Sequence, residues 1–231
     1  AAIANVKSHA EVAAMMGDPA MSVQSPVGGY VWTDAKNPDA YIFYITQSGL
    51  GMPNRTYYLE QSDKMKDTRA AYVTFLTDML NASGADNASA RAKAVMSFET
   101  EMAKVHWEAA KRRNRDLTYN KMTKAELKDY APGLDWDAML AKGGVGDQDA
   151  YIIRENDAVQ ALSKVFAQAD LSVLKDYMTV HYLSDKAAYL PAKIDAANFA
   201  FYGKALRGTK TQRDRWKRGV GVINGNLGEA I

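Results

Sequence analysis

The run "MKDTRAAYVTFLTDML" (residues 65–80) places Met65, Thr68, Tyr72, Phe75, Leu76, Met79 and Leu80 at three- and four-residue steps. That interval stacks side chains on one face of an α-helix. The stripe is apolar apart from the threonine, so it predicts a helix laid against a core. A second stripe, Val95, Phe98, Met102, Val105 and Ala109, follows the turn-forming run from Asn81 to Ser89, and the two predict an antiparallel helix pair. Upstream, Ile3, Val6, Ala10, Ala13 and Met16 predict one helix over 3–16, ended by Gly17. Downstream, Thr123 and Glu126 have the spacing of a capping box, which predicts a short helix stopped at Pro132-Gly133, and Asp135 is placed to cap another. After the glycine-rich break "KGGVGDQ" (142–148), Tyr151 to Ile153 reads as a small strand, and from Asp157 onward the pattern is helical again. Trp216, Val220, Ile223 and Leu227 keep helical spacing near the end. There is no repeat of fixed period, which argues against a solenoid.

The β element is confined to the N-terminal part. Tyr30 to Thr33 and Tyr41 to Thr46 are rich in β-branched and aromatic residues, and the polar stretch Asp34 to Asp39 is expected to be the hairpin loop between them. The reading is a mainly α chain, a multi-helix lobe with a small β hairpin near its N-terminal end. Its expected division is 1–60, with helix, hairpin and corner, and 61–231, the helical lobe. Between the two lies "QSGLGMPNRTYYL" (47–59), with two glycines, a proline and two adjacent tyrosines. As a phosphate loop it fails. It has only the first two glycines of a dinucleotide fingerprint, Pro53 stands where a helix N-terminus would present its N–H groups, and no Walker lysine follows.

With 231 residues and 47% hydrophobic content the chain can bury a sizeable core. Its 29 basic and 27 acidic side chains leave a formal net charge of +2, so no bulk field marks it for nucleic acid. Cysteine is absent, which excludes disulfides and thiolate metal sites. No run of about 18 apolar residues occurs, so no membrane span is expected in this stretch. The missing initiator methionine, and the final helical pattern that meets no stop signal before Ile231, lead to the expectation of an internal piece of a longer protein.

Chemistry-bearing residues are sparse. None of His9, His106 and His181 has a second histidine four residues away, so no local pair can present two imidazoles to one zinc. His106 and His181 read as packing residues. Glu99 and Glu101, two apart on a helix, point to different faces and read as solvated surface. There is no Gly-x-Ser-x-Gly elbow, and Ser48 has no partner that sequence can argue. Lys111, Arg112, Arg113 and Arg115 read as cations complementing a helix end. Arg213, Arg215, Lys217 and Arg218 surround Trp216, an arrangement that could hold phosphates and stack a base, but acidic residues elsewhere cancel the field. No residue is assigned a catalytic or metal-binding role, and substrate-binding residues stay unassigned.

Four motifs occur in one order: "QSGLGMPNRTYYL" (47–59), "YNKMTKAEL" (119–127), "NFAFYGKALRGT" (198–209) and "RWKRGVGVINGNLGEA" (215–230). Together they resemble the neprilysin and endothelin-converting-enzyme family of zinc metallopeptidases, across nearly the whole chain. Glycine at 219, where animal members tend to carry cysteine, looks like a bacterial member. The resemblance implies that the 47–59 segment is a structural turn out of the β element, with its tyrosines packing the corner, and Arg55 is given no substrate role. It also implies a parent peptidase whose zinc is held by an HExxH helix and a later glutamate, all beyond Ile231, so no zinc is expected in this stretch. The implied role is the smaller helical lobe, inactive alone, facing the catalytic lobe of the same chain and limiting a closed cavity to short peptides. The implied location is extracytoplasmic. A non-enzymatic binding module with the same fold is the alternative, and a nucleic-acid binder is a more distant one.

Overall fold

Two long helices form the spine. The computed structural model describes residues 2–228, and within them α4 (Asp63–Ala82) buries Thr68, Tyr72, Phe75, Leu76, Met79 and Leu80. This is the predicted stripe, with Met65 half-buried at its first turn. Thr68 satisfies its hydroxyl on the Lys64 carbonyl at 2.8 Å, so it joins an apolar face without an orphaned donor. Helix α5 (Ala88–Val105) buries Ala88, Ala92, Val95, Phe98, Glu99, Met102 and Ala103. It ends before Ala109, which is exposed.

The predicted N-terminal helix is two pieces, α1 (Ala2–Asn5) and α2 (His9–Gly17). The break is caused by Ser8, whose hydroxyl accepts from the Glu11 N–H at 3.2 Å. The Glu11 carboxylate in turn accepts from the Lys7 N–H at 2.8 Å. A side chain that satisfies the free N–H groups of a new helix start defines a new helix. Val12, Ala13 and Met16 then face the core. Gly17 sits under the backbone of α7 (Trp136–Lys142), and a Cβ there would lie 2.0 Å from the Met139 carbonyl oxygen. Gly17→Ala is therefore expected to cost roughly 1–3 kcal/mol, because backbone must move. An unchanged thermal midpoint would contradict this close approach.

The hairpin strands are longer than predicted: β1 (Val27–Asp34) and β2 (Asn37–Gln47). Their register pairs Tyr30 with Tyr44 and shifts at Asp34/Asn37, so the connection is Ala35-Lys36 rather than the expected 34–39 loop. The Asp34 carboxylate accepts from the Lys36 N–H at 2.9 Å, a side-chain turn that closes the hairpin early. Pro38 sits inside β2 but at its exposed outer end, beyond the residues that pair with a third strand. Two further strands complete a sheet of order β1-β2-β4-β3. β4 (Ala150–Ile153) runs parallel to β2, and β3 (Asn120–Thr123) antiparallel to β4. The sheet buries Val27, Ile45, Tyr151 and Ile153 in the main core, and Ile42, Tyr44 and Ile152 form a smaller cluster on the other face.

The rest is helical, as expected for a mainly α chain. Thr123 and Glu126 form the reciprocal capping box of α6 (Lys124–Tyr130), and Asp135 caps α7. α8 (Asn156–Gln168), α9 (Leu171–Asp185), α10 (Ala192–Asn198) and a π-helical turn at Phe199–Ala205 follow. Phe201 of that turn stacks on Phe75 and packs at a tilt against Tyr72, with ring centroids 5.4 and 4.9 Å away. The last helix, α11 (Arg215–Leu227), carries the predicted stripe, but Trp216, Val220, Ile223 and Leu227 are all exposed. Arg218 fastens α11 to α10 through both oxygens of Asp195, at 2.7 and 2.8 Å. Among the described residues no helix is long and apolar enough to cross a membrane.

Candidate functional site

The segment after β2 turns the chain from the sheet into the helices, and polar groups from four helical elements converge on it. Gly49 has φ +97°, and a Cβ there would lie 2.9 Å from Pro26, from the Ser25 carbonyl and from the Tyr177 hydroxyl. Only glycine fits such a position without strain. The Tyr177 hydroxyl donates to the Gly49 carbonyl at 2.8 Å, and that of Tyr202 to the Gly51 carbonyl at 3.0 Å. The Met52 N–H donates to the Tyr58 hydroxyl at 2.9 Å, and the Gly51 N–H to a Glu99 oxygen at 3.2 Å. A Cβ on Gly51 would overlap the Tyr72 hydroxyl at 1.8 Å.

Glu99 is the hub. It is fully buried, which corrects the reading of Glu99 as solvated surface; Glu101 is exposed, as expected. Steps of three and four from Val95 and Met102 put Glu99 on the inward stripe of α5, so comparison with Glu101 alone hid its true neighbours. Its carboxylate accepts from Tyr58 at 2.5 Å and from Tyr72 at 3.0 Å, and His181 Nε2 lies 2.7 Å away. A carboxylate offers only acceptors, so donors from α3 (Thr56–Leu59), α4, α9 and the corner can all be satisfied on one group. Burial, and then the Glu99 charge, hold the Tyr58 and Tyr72 hydroxyls well above the usual phenol range. Both therefore remain donors.

A second buried carboxylate braces the other end of the turn. Glu155 accepts from Thr46 at 2.6 Å, from the Gln47 N–H at 3.0 Å and from Arg112 at 2.9 Å. Burial alone would raise its pKa, but these three donors more than offset that and hold it below the usual carboxylate range. Gln47 and Trp107 bond reciprocally, the side-chain amide to the Trp107 carbonyl at 3.2 Å and the Trp107 N–H back to Gln47 at 2.7 Å. His106 Nε2 lies 3.0 Å from the Ser48 carbonyl, and burial lowers its pKa to about 4. Arg55 caps the C-terminal end of α5, donating to the Ala103 carbonyl at 3.3 Å, and pairs with Glu108 at 2.7 Å. A cation there complements the carbonyl end of the helix.

The first basic cluster does not sit at that helix end. α5 stops at Val105, and Lys111–Arg113 form a separate 3-10 turn, where Arg112 is taken by Glu155 and Lys111 by Asp157 at 3.2 Å. In the second cluster, Arg218 is held by Asp195, Lys217 by Asp214 and Arg215 by the Leu190 carbonyl. Most of these cations are thus engaged inside the protein.

The three histidines are far apart in role. His9 Nε2 meets the Ala169 carbonyl at 2.8 Å, His106 meets Ser48, and His181 meets Glu99. Among the described residues no three His, Cys, Asp or Glu side chains converge as a metal site. Beside the corner lies a cavity of about 420 Å³, bordered by Gln24, Ser48, Pro53, Arg55, His106 and Arg112. Its rim offers hydrogen bonds and charge from these side chains.

Two buried carboxylates thus brace the corner from both ends, and the chain is similar to known peptidases. Endothelin-converting enzyme 1 of Rattus norvegicus is 27% identical over 208 residues, which cover 87% of this chain and 27% of that protein. The Mycobacterium tuberculosis zinc metalloprotease Zmp1, in complex with inhibitor, is 29% identical with a TM-score of 0.91, over 99% of this chain and 36% of that one. The same protein in its open state gives 29% and 0.89 over the same shares, and in a partially open state 28% and 0.79 over 99% and 35%. The chain thus spans about a quarter to a third of the length of these relatives. The model of peptidase family M13 matches residues 1–231, and the chain belongs to that family, as part of its N-terminal region.

Proposed function

We propose that this chain is the helical lobe of a larger zinc metallopeptidase, forming a wall of the substrate cavity and admitting short peptides to a zinc held by residues outside 1–231. The observation that carries this reading is the likeness in fold to Zmp1 over 99% of this chain, with TM-scores of 0.91 in the inhibitor complex, 0.89 in the open state and 0.79 in the partially open state. The Glu99 and Glu155 clusters favour a stiff lobe, because they tie the corner 47–52 to the helices and to the sheet. In this reading residues 1–60 hold the N-terminal helix, hairpin and connecting corner, 61–231 are the cavity-covering helical lobe, the partners are the catalytic lobe of the same chain and short peptides, and the location is extracytoplasmic.

The test uses the full-length parent. A short fluorogenic peptide and the same sequence embedded in a long polypeptide are compared as substrates for the parent and its Glu99→Gln variant, at equal zinc content. Loosening the lobe is expected to raise relative cleavage of the long substrate by about tenfold. An unchanged ratio, in a variant shown by denaturation to be destabilised, would overturn the role as a size filter.

A further inference from the structure

The face of the sheet opposite the main core is unfinished, and its chemistry specifies an occupant. β1 is an edge strand of eight residues. It carries no proline and no charge before Asp34, so it lacks the usual devices that blunt an edge. Trp32 is 66% exposed and Tyr30 39% exposed, on the same face as Tyr44, whose ring stacks on Tyr30 with centroids 5.3 Å apart. With Tyr119 these rings line a groove of about 460 Å³ that Arg115 and Arg154 also border.

The charge in this groove is one-sided. Its carboxylate, Asp34, is already spent on the Lys36 N–H, on Tyr119 at 2.8 Å and on Lys121 at 3.0 Å. Among the described residues the guanidinium of Arg154 meets only the Tyr30 hydroxyl, at 3.2 Å. The guanidinium of Arg115 is exposed and has no partner among the described residues. Two uncompensated guanidiniums beside aromatic rings and a free strand edge suit a ligand with carboxylates, an apolar side chain and main-chain hydrogen bonds of its own. We propose that the β1 edge and its Trp32–Tyr44 groove bind an extended acidic peptide segment, whose backbone adds to the sheet while its carboxylates meet Arg115 and Arg154.

The other occupants fit less well. A second copy paired through β1 would bring no free carboxylate to the two guanidiniums, since β1 carries no acidic residue before Asp34, which is already engaged. Single-stranded nucleic acid could stack on the rings, but it cannot use the strand edge, and two guanidiniums neutralise few phosphates. The proposal is independent of the size-filter reading, since it concerns a different face.

The 231-residue chain is titrated with acetyl-Val-Glu-Ile-Glu-Val amide while tryptophan emission is followed, with Trp32→Phe used to assign the signal. The lysine-for-glutamate peptide and a ten-nucleotide oligothymidylate are parallel probes. Saturable binding of the acidic peptide below about 1 mM is expected, with no binding of the lysine peptide. Affinity should fall by at least about tenfold in Arg115→Gln/Arg154→Gln at unchanged thermal midpoint. Four results would each overturn the proposal: no saturation with the acidic peptide, equal binding of both peptides, tighter binding of the oligothymidylate, or dimerisation through β1 in sedimentation that the acidic peptide does not compete away.

Discussion

Glu99→Ala is expected to lower the unfolding free energy by about 3–5 kcal/mol, the usual cost of removing one member of a buried, hydrogen-bonded polar cluster. The loss is large because the carboxylate serves several donors at once. Without it the hydroxyls of Tyr58 and Tyr72, the ring of His181 and the N–H of Gly51 lose their shared acceptor, at positions where water has little access. Glu99→Gln keeps the volume but replaces one acceptor oxygen with a donor facing other donors, so about half the loss is expected. Urea denaturation at neutral pH reads both values. A change below about 1 kcal/mol for the alanine variant would mean that Glu99 does not hold the corner.

Acid should loosen the same corner through His106. Its pKa lies near 4 in the folded chain, against 6.5 for the free side chain, because burial disfavours the imidazolium. Between these values the unfolded chain binds a proton that the folded chain does not. Stability therefore rises with pH across the window, is fully present above about 6.5, and is lost as pH falls toward 4. The whole interval corresponds to roughly 3 kcal/mol. His106→Asn, which keeps a donor toward the Ser48 carbonyl, should flatten the stability profile over this range. Asp34, lowered to about 2 chiefly by the Lys36 N–H, adds a separate loss as pH falls from about 4 toward 2. A wild-type profile that is level from pH 7 to 4.5 would contradict the buried neutral imidazole.

Elements built on local periodicity were legible in the sequence. The stripes of α4 and α5, the capping box at Thr123 and Glu126 and the strand at Tyr151 to Ile153 each follow from residues a few positions apart. The break at Ser8 was also local, since Ser8 and Glu11 have the spacing of a helix start, but the apolar spacing across it masked the signal. The rest depended on distant partners. Nothing near Glu99 announces that Tyr58, Tyr72 and His181 will surround it, because they arrive from segments 27 to 82 residues away. The strand β3 is four residues long and takes its identity from pairing with β4. The one available hint about Glu99 was its place on the α5 stripe between Val95 and Met102, where a charge is out of register with its neighbours.

The proposed function places this lobe at a cavity whose zinc is held by residues outside it. Its most direct test is the purified 231-residue chain, titrated with zinc by calorimetry and then assayed on a short fluorogenic peptide with and without chelator. The expected result is neither stoichiometric tight zinc binding nor chelator-sensitive cleavage. One tightly bound zinc per chain, together with peptide hydrolysis that chelator abolishes, would contradict it.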